Sequence, residues 1–166
     1  MKPSRELLVL IERLYTTFSG YPLSQNTYAC PCCTTAEQEG KLHSKPLREL
    51  HPDDLTHYAW DALLTWGNES TFKHFLPRLF ELFLTIPNPS LHLADTEILF
   101  SKFRHGHWRE WPEFEQDTIR DFTHCFWNDV LNSELQYDKE LGYDNNAWET
   151  DTCLCSVGQT GGMEES

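Results

Sequence analysis

The feature that most constrains this chain is a helical period that returns along its whole body with no strand pattern to compete. In SRELLVLIERLYTTFSG, residues 4–20, the side chains of Leu7, Leu10, Ile11, Leu14 and Phe18 fall on one helical stripe. Ser4 is placed to cap its start, and Gly20 to stop it. The stretch LRELHPDDLTHYAWDALLTWG, residues 47–67, predicts a helix that opens at Pro52 with Asp53 and Asp54 at the positive end of the dipole. Its buried stripe is Leu55, Tyr58, Ala59, Ala62, Leu63 and Trp66, and Gly67 is expected just past the end. After the break at NES, TFKHFLPRLFELFL brings Phe72, Phe75, Leu76, Leu79 and Phe83 onto one face, with Pro77 expected to kink the helix or restart it. So short a link makes these two helices antiparallel neighbours.

Beyond the breaker IPNPS, a shorter helix is expected from about Thr96 to Arg104, capped by Asp95. Pro112 then opens the longest one, PEFEQDTIRDFTHCFWNDVLNSEL, with Phe114, Ile119, Phe122, Phe126 and Val130 along its face. Nowhere does a sustained alternation rich in Val, Ile or Thr appear. The class is all-α, built of antiparallel helix pairs as a solenoid or a compact bundle. Residues 1–135 form one helical domain, and 136–166 an acidic, loop-rich segment partly docked on it through Trp148 and Leu154.

One long stretch, residues 21–46, carries no period. A structureless loop of that length is uncommon in a compact domain unless something holds it or it has a task. It contains YACPCC, residues 28–33, in which Cys30 and Cys33 form a C-x-x-C pair with Cys32 between them. Thiolates so spaced can share one tetrahedral Zn²⁺, with Zn–S bonds of about 2.3 Å. Cys153 and Cys155 are candidates for the remaining ligands, and docking them would tie the acidic segment to the loop; His43 is a local alternative. The same Cys30–Cys33 pair could instead serve dithiol redox chemistry, although the strand–helix setting of such motifs is missing. Loop cysteines without a ligand are the plain third reading. Cys125, beside Phe122 and Phe126, reads as core.

A second cluster, His105, His107 and Glu110, offers two imidazoles and a carboxylate for a catalytic metal, or simply cations favouring a helix C-terminus. No nucleophile elbow, phosphate-binding glycine loop or dinucleotide fingerprint is present. The six Trp, at 60, 66, 108, 111, 127 and 148, are expected in the core, and an exposed one would mark a partner surface.

Charge narrows the partners. Residues 1–109 hold 12 acidic and 11 basic side chains, whereas 110–166 hold 14 acidic and only Arg120 and Lys139 as basic ones. Such a surface repels phosphate backbones and excludes direct nucleic-acid binding. It suits a basic protein partner, or plain solvation. The apolar run Leu7–Ile11 is too short and too quickly interrupted for a signal peptide, and no run approaches a membrane span. The expected compartment is the cytoplasm, where thiols stay reduced and six cysteines are not a disulfide framework.

YAWDALLTWGNESTFKHFLPRLFEL resembles a HEAT-type repeat, a helix ending in Gly followed by a helix with an early Pro. That resemblance implies a scaffold that offers its surface to partners. In their order, CPCC, KPLREL, YAWDALLTWG and FKHFLPRLFEL also resemble a family of uncharacterised bacterial proteins. In that family the chain runs on past LCSVGQTG into one more helix, and no activity comes with the likeness. The expected function is therefore a non-enzymatic protein-binding or scaffold module with structural zinc in the cysteine loop. The alternative is a thiol- or metal-dependent enzyme using Cys30 and Cys33, or His105, His107 and Glu110.

Overall fold

The computed structural model describes residues 3–25 and 27–141. Its helices are α1 (Arg5–Thr17), α2 (Ala36–Leu42), α3 (Pro52–Asp61), α4 (Glu69–Thr85), α5 (Pro89–His92), α6 (Thr96–His105) and α7 (Glu113–Leu141), with 3-10 turns at Leu47–Glu49 and Trp108–Glu110. Among the described residues there is no strand, only two isolated bridges, and no helix is long and apolar enough to cross a membrane.

Helix directions follow from which side chains meet. Along α1 and α7, Ser4 N–H donates to Asp129 at 2.7 Å, Arg13 pairs with Asp121 at 2.5 Å, and the Thr17 and Thr118 hydroxyls lie 3.2 Å apart. As one number rises the other falls, so the two helices are antiparallel. On α4 and α7, Lys73 meets Glu115, Phe80 meets Phe122 and Phe83 meets Phe126, so this pair is parallel. α6 runs against both, with Phe100 on Phe80 and Phe126, and Phe103 on Phe72 and Trp111. Solenoid repeats touch only their sequence neighbours. Here the first helix packs along the last described one, which closes a compact bundle around the rings of Phe72, Phe80, Phe100, Phe103, Phe122 and Phe126.

Several local expectations are corrected. The unpatterned stretch 21–46 contains α2, started by a capping box in which Gln38 N–H donates to Thr35 Oγ1 and Thr35 N–H to Gln38 Oε1. α3 ends at Asp61 rather than continuing to Trp66. There the Asp61 carbonyl accepts from the N–H groups of Leu64, Thr65 and Trp66, and Leu63 turns through a left-handed φ of 64°. Ala62 and Trp66 are still buried as the pattern required, because a tight turn delivers them to the core as well as a helix would. Leu50 and Tyr58 meet Arg78 and Phe75, so this segment is antiparallel to α4 as expected. α4 passes through Pro77 as one helix, its missing N–H outweighed by burial of Phe75, Leu76, Leu79 and Phe80 around it. α1 ends at Thr17, before Gly20, and α7 continues to Leu141, beyond the boundary expected at 135. Phe114 and Trp60, both expected inside, are exposed. Trp148, Leu154, Cys153 and Cys155 lie outside the described residues.

Lys102 is 1 % exposed and has no carboxylate partner at hydrogen-bond distance among the described residues; its ammonium donates to the Trp60 carbonyl at 2.5 Å, at the C-terminal end of α3. Burial pushes its pKa down to about 8 from 10.5, and Asp61 only partly offsets this. The unfolded chain therefore binds more protons between these values, so stability should climb as pH rises from about 8 toward 10.5. Denaturant unfolding at pH 7 and pH 9.5, compared between the native protein and Lys102→Met, isolates this group. The native protein should gain on the variant at the higher pH, and parallel pH profiles would refute the assignment.

Candidate metal centre

The cysteine turn is positioned by backbone. Cys30 N–H donates to the Thr65 carbonyl at 2.8 Å and Gly67 N–H to the Tyr28 carbonyl at 2.7 Å, forming an antiparallel bridge between Ala29 and Trp66. The Cys30 carbonyl then accepts from Cys33 N–H at 3.0 Å and Thr34 N–H at 2.9 Å, closing a turn that Pro31 favours through its fixed φ. Gly67 sits at φ +77°, where a Cβ would come within 3.0 Å of Thr71, so the bridge needs glycine at this corner.

Trp66 joins the turn to the core. It is buried, packs edge-on to Tyr58 at 5.6 Å, and donates its indole N–H to Glu39 of α2 at 2.7 Å. Around this joint the hydroxyls of Thr34, Thr65 and Tyr58 are buried without a hydrogen-bond partner among the described residues. Burial, with the nearby Glu39 charge, keeps the Tyr58 phenol well above its ordinary pKa. Order at the joint therefore depends on Trp66 and Glu39 more than on those hydroxyls.

The turn gathers sulfur. Cys30 Sγ lies 2.7 Å from Cys32 Sγ, Cys32 Sγ lies 3.6 Å from Cys33 Sγ, and all three sulfurs are within 4.8 Å of one another. Cys32 and Cys33 are exposed and Cys30 half-buried. Hydrogen bonding from Cys32, then from Cys33, holds the Cys30 thiol below its ordinary pKa, while Cys32 and Cys30 push Cys33 up to about 11. A cation that needs thiolates would displace whatever protons these sulfurs carry. Three soft sulfurs around one point suit a thiophilic cation, and Zn²⁺ would take a fourth ligand to complete a tetrahedron.

Among the described residues this is the one group of three or more His, Cys, Asp or Glu side chains with donors close enough to hold a metal ion. His43 is not in it. It caps α2 and lies 3.3 Å from Glu39 through Nε2. His105, His107 and Glu110 do not converge either: His105 ends α6, and His107 turns at φ 50° into the 3-10 turn that carries Glu110. Burial, then Lys102, Arg104 and His107, push the His105 pKa down, away from the charged form that favours a helix end. Cys125 is buried on α7 as expected, its sulfur 3.9 Å from Ser4 Oγ.

Sequence reasoning missed Glu39, Thr65 and the structural part played by Trp66. The T-x-x-Q box at 35–38 was a readable sign of α2, whereas pairing of the turn with residues 65–67 has no local signal. Compared with family models, curated proteins and solved structures, the chain matches none. What the fold and the cluster define is an all-α bundle with three thiols on a backbone-held surface turn.

Proposed function

We propose that this chain is a non-enzymatic protein-binding or scaffold module whose cysteine turn holds zinc through Cys30, Cys32 and Cys33. The observation that carries this reading is the convergence of three sulfurs within 4.8 Å on a turn already shaped by backbone bonds. The fourth ligand in this reading is Cys153 or Cys155, since His43 faces Glu39 and stands outside the sulfur group. Exposed Tyr28 and Leu64 flank the bridge in sequence and supply apolar contact for a protein partner. Partner charge is the less specific part, because several acidic groups of α7 serve the bundle: Glu115 pairs with Lys73, Asp121 with Arg13, and Asp129 accepts from Ser4. A basic partner would meet the acidic residues that follow them. Thiolate chemistry of this kind belongs in a reducing compartment, which favours the cytoplasm.

Metal analysis of protein purified without chelator tests the reading. About one equivalent of zinc is expected, lost in the Cys30→Ser and Cys33→Ser variants. Less than about a tenth of an equivalent in the native protein would overturn it.

A further inference from the structure

We propose that Cys30 and Cys32 are an oxidative modification site, closing a reversible disulfide under hydroperoxide and thereby expelling the metal of the turn. The release half of this inference rests on the zinc reading above, while the disulfide half stands on the arrangement of the sulfurs alone.

Geometry selects the pair. The spacing of the motif points to Cys30 and Cys33, yet the nearest sulfurs are those of Cys30 and Cys32, at 2.7 Å. Cys32 and Cys33 are 3.6 Å apart, but adjacent residues close a smaller and more strained ring than residues separated by Pro31. Cys32 is exposed and Cys30 half-buried, so a small peroxide has an open approach. By contrast Cys125 is buried in the bundle and serves as an internal control.

The backbone permits the change. The bonds that hold the turn, Cys30 N–H to Thr65 and Gly67 N–H to Tyr28, involve no sulfur. Joining two sulfurs leaves those anchors in place, so the turn can pass between reduced and oxidised forms without unfolding the bundle. Disulfides in small exposed rings are also the readily reduced kind.

The chemistry balances. Two thiols and one hydroperoxide, ROOH, yield a disulfide, an alcohol and water. The S–S bond forms, the O–O bond breaks, and two electrons pass from sulfur to oxygen. With metal bound the sulfurs enter as thiolates, the two protons come from solvent, and the cation leaves because Cys33 and the fourth ligand cannot retain it once two of its four donors are gone. A dithiol reductant reverses the step by exchange.

The test uses the full-length protein, loaded with zinc, and hydrogen peroxide as oxidant. Free thiols, intact mass and zinc captured by a chromogenic chelator are followed together. We expect loss of two thiols, a mass lower by two hydrogens, and release of the bound zinc, all restored by dithiothreitol and fresh metal. Cys33→Ser should still form the link and Cys32→Ser should not, with unchanged helical circular dichroism in both. A link that persists in Cys32→Ser, oxygen addition without a link, or zinc retained under peroxide would each overturn the inference. The last outcome leaves the zinc reading intact. Conversely, protein that takes up no zinc yet forms the Cys30–Cys32 link fails the zinc reading and upholds the disulfide.

Discussion

Glu115→Ala is expected to destabilise the protein by about 3–5 kcal/mol, the loss that follows when one member of a buried ion pair is removed. Glu115 and Lys73 are 1 % and 2 % exposed and lie 2.8 Å apart, joining α7 to α4. Tyr21 donates its hydroxyl to Glu115 at 2.5 Å, and the Lys73 ammonium sits 4.3 Å from the Trp111 ring. Without the carboxylate, Lys73 keeps the half-exposed Glu69 at 2.7 Å, which places the expected loss toward the lower end of the range. Burial draws the Lys73 pKa down, but hydrogen bonds to Glu115, Glu69 and Tyr21 outweigh it and hold the group above its ordinary 10.5. A raised lysine pKa stabilises fully below the unfolded value, so the contribution is complete at neutral pH and fades only above about 10.5. Urea unfolding at pH 7 checks the prediction. The paired replacement Lys73→Met with Glu115→Leu should recover most of the loss, because an apolar pair of similar volume need not be desolvated. A Glu115→Ala variant within about 1 kcal/mol of the native protein would show that the pair contributes little.

Trp66→Ala is the second large effect, about 3–5 kcal/mol for truncating a buried aromatic. It reaches further than an ordinary core change, because Trp66 ties the cysteine turn to Tyr58 on one side and to Glu39 of α2 on the other. If the turn holds zinc as proposed, its affinity for the metal should therefore fall together with stability. Trp66→Phe separates the two contributions: it keeps most of the packing and loses the indole bond to Glu39, a change of about 1 kcal/mol. Unfolding midpoints and competitive zinc titration of both variants give the answer. Native zinc affinity in a folded Trp66→Ala protein would show that the turn holds its shape without this anchor.

Much of the fold was legible because helices announce themselves locally. The stripe Leu7, Ile11, Leu14 and Phe18 is buried as its spacing demands, Ser4 caps α1 through Leu7 N–H, and Asn68 starts α4 after the expected break. Burial proved easier to read than conformation. Ala62 and Trp66 lie inside although the helix that was to carry them stops at Asp61, since hydrophobicity reports the need for burial and not the backbone that achieves it. α2 was overlooked because its seven residues, AEQEGKL, bury only Leu42 and so lack an apolar period; its capping box was the remaining cue.

For the candidate site, the spacing of Cys30, Cys32 and Cys33 was enough to single out the turn, because a few residues of chain cannot carry their sulfurs far apart. Which sulfurs approach most closely is another matter, decided by the torsions of the turn and by the anchors at Thr65 and Gly67, some 35 residues along the chain. The same division runs through the whole protein. Its class, the caps at Ser4 and the start of α3, most core residues and the cysteine turn came from the order of amino acids, since propensity, periodicity and chelate spacing act over a few residues. Closure of the bundle by α1 on α7, the burial of Lys73 with Glu115, and the seating of the turn on Trp66 belong to the tertiary structure alone. Those contacts join residues distant in sequence, and only the packed core sets where their side chains meet.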